Sequence, residues 1–179
     1  MSFGARDTTR VAKALAEMLG AKAVRAPTPP FPYGAWLVCV GDEHGTFLEI
    51  VPATTLFDPK APLGVLQGPE VHRPNSAHVL IGSPLDSASL QKRAADEGWP
   101  VQEVETGLFK IVKVWVEGHL LVEFLAEGET ARYTDAFGSK GMSSLDGKLR
   151  ALEQELGAVL STKLSPQMLT EALGRPAAA

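Results

Sequence analysis

Cysteine is almost missing from this chain. The single Cys39 excludes an intramolecular disulfide and a cysteine-built zinc site. Clustered basic residues are missing too: 17 Lys and Arg stand against 21 Asp and Glu, for a net charge of −4. Nucleic-acid phosphates need gathered cations, so a nucleic-acid partner is not expected. No apolar run is long enough to span a bilayer, since the longest uncharged stretch, Ala26 to Gly41, carries four prolines. The start shows no secretory leader, because Arg6 and Asp7 precede any apolar segment. These absences point to a cytoplasmic protein without a membrane partner. What is present is an ordinary globular composition: 179 residues, 45% hydrophobic, 21% charged, mean hydropathy +0.02. A chain of this length buries roughly 70% of its unfolded surface, enough to fold without a metal.

The patterning predicts a regular order of elements. Val11, Leu15 and Met18/Leu19 recur at helical spacing, with Asp7 or Thr8 to cap the start and Gly20 to end the helix. A weak strand precedes it, and Ala21 to Arg25 is a short strand. The segment Ala26-Pro-Thr-Pro-Pro-Phe-Pro32 cannot lie in a sheet interior, because proline fixes φ and donates no hydrogen bond. Ala35–Val40 and Thr46–Val51 are β-rich and suit a hairpin around Gly41-Asp-Glu-His-Gly45. Residues 53–76 hold four prolines and little periodicity, which marks a linker or lid-like loop. The order then repeats. Ala77–Ile81 is a strand, Asp86 or Ser87 caps a helix ended by Gly98, Val101–Glu105 is a strand, and Phe109–Val116 and His119–Leu125 form a hairpin. The fold class is α+β: tandem βαβββ modules at 1–52 and 77–126, joined by 53–76. A helical extension occupies 127–179. In it Leu145, Leu149, Leu152, Leu156 and Leu160 form an apolar stripe suited to docking on the sheet or a partner chain, and Ser165-Pro166 opens a second short helix.

Two landmarks support duplication. Gly20 and Gly98, which end the helices, lie 78 positions apart, and Glu49 and Glu123, central in the last strands, lie 74 apart. Side chains alternate across a strand, so parity assigns faces. Val112, Val114 and Val116 share one face with Leu120, Val122 and Phe124 as a purely aliphatic set, suited to helix cover. Lys113, Trp115 and Glu123 fall on the other face; Glu49 goes with Phe47 and Val51, and His78 with Leu80. A single strand glutamate ordinarily faces solvent, and His78 by itself reads as a hydrogen-bonded strand-start histidine. Matching slots in a repeated unit raise a second possibility. A buried carboxylate costs several kcal/mol unless paired or metal-bound, and imidazole with carboxylates suits zinc, nickel, manganese or iron(II).

The segments Ala5-Arg-Asp-Thr-Thr-Arg-Val-Ala-Lys-Ala-Leu15 with Met18-Leu-Gly20, Phe47-Leu-Glu-Ile-Val-Pro52, Ala77-His-Val-Leu-Ile81 and Leu121-Val-Glu-Phe124 together resemble the vicinal oxygen chelate superfamily. That superfamily includes glyoxalase I, extradiol dioxygenases, methylmalonyl-CoA epimerase and fosfomycin- or bleomycin-resistance proteins. The resemblance covers about residues 1–126. It implies a cupped mixed sheet made by the two modules and a metal that chelates two neighbouring oxygens of a small substrate. It also implies ligands from the first and last strands of each module: Glu49, His78 and Glu123 here. The fourth slot falls at position zero by the repeat, and Met1-Ser-Phe-Gly4 holds no histidine. Either a longer natural chain supplies that ligand, or the metal is held weakly or not at all. His44 and His119 in turns and His72 in the proline-rich loop read as solvated rather than as substitutes.

Three functional readings follow. In the first, the protein is a metal-dependent lyase, isomerase or dioxygenase-like enzyme. Glu49 and Glu123 are its catalytic carboxylates, and Lys113, Trp115 and Trp36 meet a small, oxygen-rich substrate. In the second, a non-catalytic member sequesters a partly apolar small molecule. In either case a homodimer is expected. The third drops the superfamily for two ferredoxin-like αβ modules in a structural dimer, with Glu49, His78 and Glu123 far apart. Other motifs fail: Gly141–Lys148 is one residue too long for a phosphate loop and is followed by Leu149, and Cys39 in its apolar strand reads as packing.

Overall fold

A computed structural model of the chain describes residues 1–28, 31–42, 45–61, 64–70, 78–138, 141–163, 165, 167 and 168. It divides into two compact units, Met1–Thr130 and Ala131–Ala179.

In the first unit, β1 (Ser2–Ala5), α1 (Thr8–Met18), β2 (Lys22–Arg25), β3 (Trp36–Cys39) and β4 (Phe47–Pro52) form the first βαβββ module. Asp7 caps α1 by accepting from the Arg10 backbone N–H at 2.9 Å, which satisfies one of the donors that a helix start leaves open. After α1 the chain turns at Gly20, with φ +59. There a Cβ would also meet Pro84 Cγ at 2.9 Å, so the second module's approach reinforces the need for glycine. The strands pair in the order β1-β4-β3-β2, with β1 parallel to β4 and the rest antiparallel.

The second module repeats this plan. β7 (His78–Gly82), α2 (Ser87–Glu97), β8 (Val101–Glu105), β9 (Lys110–Val116) and β10 (Leu120–Leu125) pair as β7-β10-β9-β8, again with the first strand parallel to the last. Asp86 caps α2 through the Ser89 N–H at 2.7 Å. That hydrogen bond, with a side-chain contribution from Ser89, holds the Asp86 carboxyl below its ordinary range. Gly98 ends α2 in the left-handed conformation. The expected linker contains more structure than its prolines suggest: β5 (Thr55–Phe57) and β6 (Val65–Gln67) form a small antiparallel hairpin. Strands of three residues leave too short a pattern for alternation to register.

One hydrophobic core serves both modules. Phe3, Leu15, Met18, Val38, Leu48 and Ile50 of the first belong to the same cluster as Leu90, Val112, Val114, Val116, Val122 and Phe124 of the second. The aliphatic parity set is therefore the buried, helix-facing set. Antiparallel ion pairs tie α1 to α2, Arg10 with Glu97 at 2.5 Å and Glu17 with Arg93. Ser83 Oγ donates to the Met18 carbonyl at 2.5 Å, closing the C-terminal end of α1. The Glu117 carboxylate, in the β9–β10 turn, accepts the Arg6 and Asp7 backbone N–H groups at 2.8 and 3.0 Å. Glu117 makes this clasp from φ +48, among the described residues the one left-handed backbone that is not glycine.

Beyond the modules, α3 (Glu129–Phe137) opens the expected helical extension ahead of the leucine stripe, with Tyr133 and Phe137 stacked at 5.1 Å. A turn of 3-10 helix at Met142–Ser144 leads into α4 (Leu145–Lys163), the expected striped helix. Leu149 of that stripe is exposed. Most of the second short helix expected from Ser165-Pro166 lies outside the described residues, as do His44, His72 and Ala77. No helix among the described residues is long and apolar enough to cross a membrane.

Candidate ligand site on the second sheet

The second sheet has one face in the core and one face only half-buried. Register defines the second face. Leu80, Glu123, Lys113 and Gln102 are successive partners across β7, β10, β9 and β8, and the adjacent row runs His78, Leu121, Trp115. Ion-pair geometry agrees with this placement. Lys113 Nζ lies 3.4 Å from Glu123 Oε1, and His78 Nε2 lies 3.6 Å from Glu123 Oε2. Glu123 keeps 13% of its side-chain surface exposed, Lys113 29% and His78 53%. One carboxylate thus stands between an ammonium and an imidazole, on a floor made by Leu80, Leu121 and Trp115.

The remaining expected site residues sit elsewhere. Glu49 holds the matching slot in the first module, but it is 9% exposed and its carboxylate accepts from the Ser2 hydroxyl. Across β3 its partner is Leu37, not a cation. Ala26, Ala35, Val51, Phe31 and Leu37 cluster on that side of the sheet, while the matching face of module two is half open. Trp36 does not join the site. It pairs with Ile50 and packs on the shared core, one residue out of phase with Leu37. Cys39 is half-buried at the end of β3, opposite Phe47. His119 sits in the β9–β10 turn with Nδ1 3.4 Å from the Glu117 carbonyl.

The donor set can be tested against the metal that the resemblance implies. Among the described residues no group of three or more His, Cys, Asp and Glu side chains could hold an ion. His78 and Glu123 come together, whereas Glu49 does not complete a set with them. Both Glu123 oxygens are directed at nitrogen-bearing neighbours, one of them a lysine. These residues do not fit a three-ligand metal centre. Two partners escaped the sequence reading. Ser2 stands in a first strand that holds no histidine, and its parallel register with Glu49 is the signal that finds it. Gln102 extends the polar row onto β8.

These features define an α+β protein of two βαβββ modules, the architecture implied by the resemblance to the vicinal oxygen chelate superfamily. No family model matches the chain, and no curated protein does. Solved structures similar to it include the fosfomycin resistance protein FosX from Listeria monocytogenes, at 10% identity and TM-score 0.49 over 74% of this chain and 91% of that one. A possible glyoxalase from Bacillus cereus is similar at 15% identity and TM-score 0.43, over 70% and 95% of the two chains. TioX from a Micromonospora species is similar at 14% identity and TM-score 0.45, over 70% and 94%. At such identities the likeness is one of fold outline.

Proposed function

We propose that this is a glyoxalase-like protein that binds a small oxygen-rich molecule on the open face of its second sheet, without a metal. The observation that carries the reading is the shared Glu123 carboxylate, which presents Lys113 and His78 side by side above an apolar floor. An ammonium recognises a carboxylate or phosphonate, an imidazole exchanges a hydrogen bond with a neighbouring oxygen, and Trp115 offers a flat apolar surface to the remainder of the ligand. The half-buried setting strengthens each polar contact relative to water. The protein works in the cytoplasm as a homodimer on this reading, with module boundaries near residues 52, 77 and 126.

Thermal shifts with a panel of small carboxylates, phosphonates and catechols, each with chelator and with manganese, test it. A ligand at a hundredfold its Kd adds about 2.7 kcal/mol to stability. The expected result is stabilisation by one class of organic oxyanion in chelator, lost in Trp115→Ala. Stabilisation that appears only with a divalent ion turns the result to a second reading, favoured by the 3.6 Å approach of His78 to Glu123. That reading is a metal-dependent lyase, isomerase or dioxygenase in which His78 and Glu123, the two donors that the sheet brings together, would hold zinc, nickel, manganese or iron. Metal analysis of protein purified without chelator tests it directly.

A further inference from the structure

We infer that Lys113 is the built-in counter-ion of the His78–Glu123 pair and that it keeps divalent cations off that pair. The inference deepens the reading of the second sheet's open face as the ligand site, and it begins with the β9–β10 register. Lys113 is the direct antiparallel partner of Glu123, so its side chain leaves the sheet on the same face beside the carboxylate. The ammonium reaches Oε1 at 3.4 Å while His78 Nε2 faces Oε2 at 3.6 Å. A divalent ion drawn to the imidazole nitrogen and the carboxylate would therefore lie within a few ångströms of a fixed positive charge. Like charges at such separation repel strongly where water is partly excluded. With Lys113 in place the carboxylate's charge is already met; without it the pair becomes an anionic two-donor site.

The first module indicates that this cation is a local feature and not a requirement of the fold. Glu49 holds the equivalent slot with Leu37 opposite it, and the strand order and register are otherwise the same. Lysine at 113 thus selects what the face accepts, favouring an oxyanion and rejecting a free metal ion. Lys113 is a specificity-determining residue in this account, and no chemical step is assigned to it.

Isothermal titration of manganese(II) and zinc(II) into the full native chain, into Lys113→Met and into Lys113→Met/Glu123→Gln tests the inference. Lys113→Met is expected to bind one ion at least tenfold more tightly than the native chain, and the double variant to lose that gain. Native protein that binds either ion as tightly as Lys113→Met overturns the inference. So does a variant with native circular dichroism and no gain. Should Lys113→Met fold poorly, Lys113→Gln, one atom shorter but still a hydrogen-bond donor, removes the charge and is read by the same titration. The organic-ligand screen on native protein is independent. A native chain that binds no organic oxyanion while Lys113→Met gains a metal site sinks the binding reading and leaves this inference standing; the converse pair of results sinks only this inference.

Discussion

The two modules share strand order, register and cap chemistry, yet they treat the same glutamate slot in opposite ways. In module one Glu49 lies opposite Leu37, nearly buried on the side of the sheet where Ala26 and Phe31 pack with Val51, with the Ser2 hydroxyl as its partner. In module two Glu123 lies opposite Lys113 on a face that stays half open, with His78 in reach. Duplication fixes where a carboxylate stands; the residue across the ladder and the loop above it decide what the carboxylate can do. A site that uses both halves equally would need similar surroundings for both acids. The surroundings differ, and the proposed reading accordingly uses the second sheet.

The comparison is broken most severely in the part that the modules share. Phe124 and Ile50 are both 0% exposed and belong to one cluster. Phe124→Ala is expected to cost about 3–5 kcal/mol and Ile50→Ala about 2–5 kcal/mol. Because the core is common, chemical denaturation followed by fluorescence and by circular dichroism should give one coincident transition for Met1–Thr130 in each variant. Separate transitions for the two modules would show that the cluster does not couple them.

The clasp between modules comes next. Glu117→Ala removes a carboxylate that accepts two backbone N–H groups at the start of α1, for an expected loss of about 1–2 kcal/mol. Glu117→Gly loses the same hydrogen bonds but relieves the left-handed backbone at φ +48, so it should be the milder change by up to about 1 kcal/mol. Urea midpoints of the two variants check the order, and a glycine variant less stable than the alanine one contradicts it.

A sharper contrast comes from matched neutral substitutions. Glu123→Gln strips Lys113 of its carboxylate and is expected to lower stability by about 1 kcal/mol. Glu49→Gln removes a nearly buried charge that faces a leucine, and it should leave stability unchanged or raise it by up to about 1 kcal/mol. Thermal denaturation at neutral pH reads both. Losses of equal size would mean that the two glutamates are equivalent after all.

Much of this frame was legible in the residues themselves. Helix limits followed from Asp7, Gly20, Asp86 and Gly98, because caps and left-handed stops have strong local chemistry. Parity sorted Val112, Val114 and Val116 from Lys113 and Trp115 because a two-residue period admits only two faces. Parity could not say which of two opposite faces β3 gives to the core. Trp36 therefore looked like a pocket residue, whereas Leu37 is the one beside Glu49. Nor could spacing tell whether Glu49 and Glu123 meet, since that depends on long-range packing. The Lys113–Glu123 pair required register, which a hairpin turn sets only once its geometry is known. The β5–β6 hairpin was too short to announce itself, and within the expected helical extension the pattern of α3 was too mixed to set its limits.

The smallest effect lies at the cap of α2 in the second module. Asp86 has its carboxyl held below the ordinary value of 3.8, chiefly by the Ser89 backbone N–H and then by the Ser89 side chain. A carboxyl lowered in the folded state stabilises the fold above its unfolded value, and it loses that contribution as pH falls through the folded one. Native protein should therefore exceed Asp86→Ala in thermal midpoint at neutral pH, and the gap should narrow only as pH drops below about 5, where the unfolded chain begins to take up the proton. A gap that stays constant from neutral pH down to pH 2 would mean that Asp86 acts on α2 through its shape alone, without its charge.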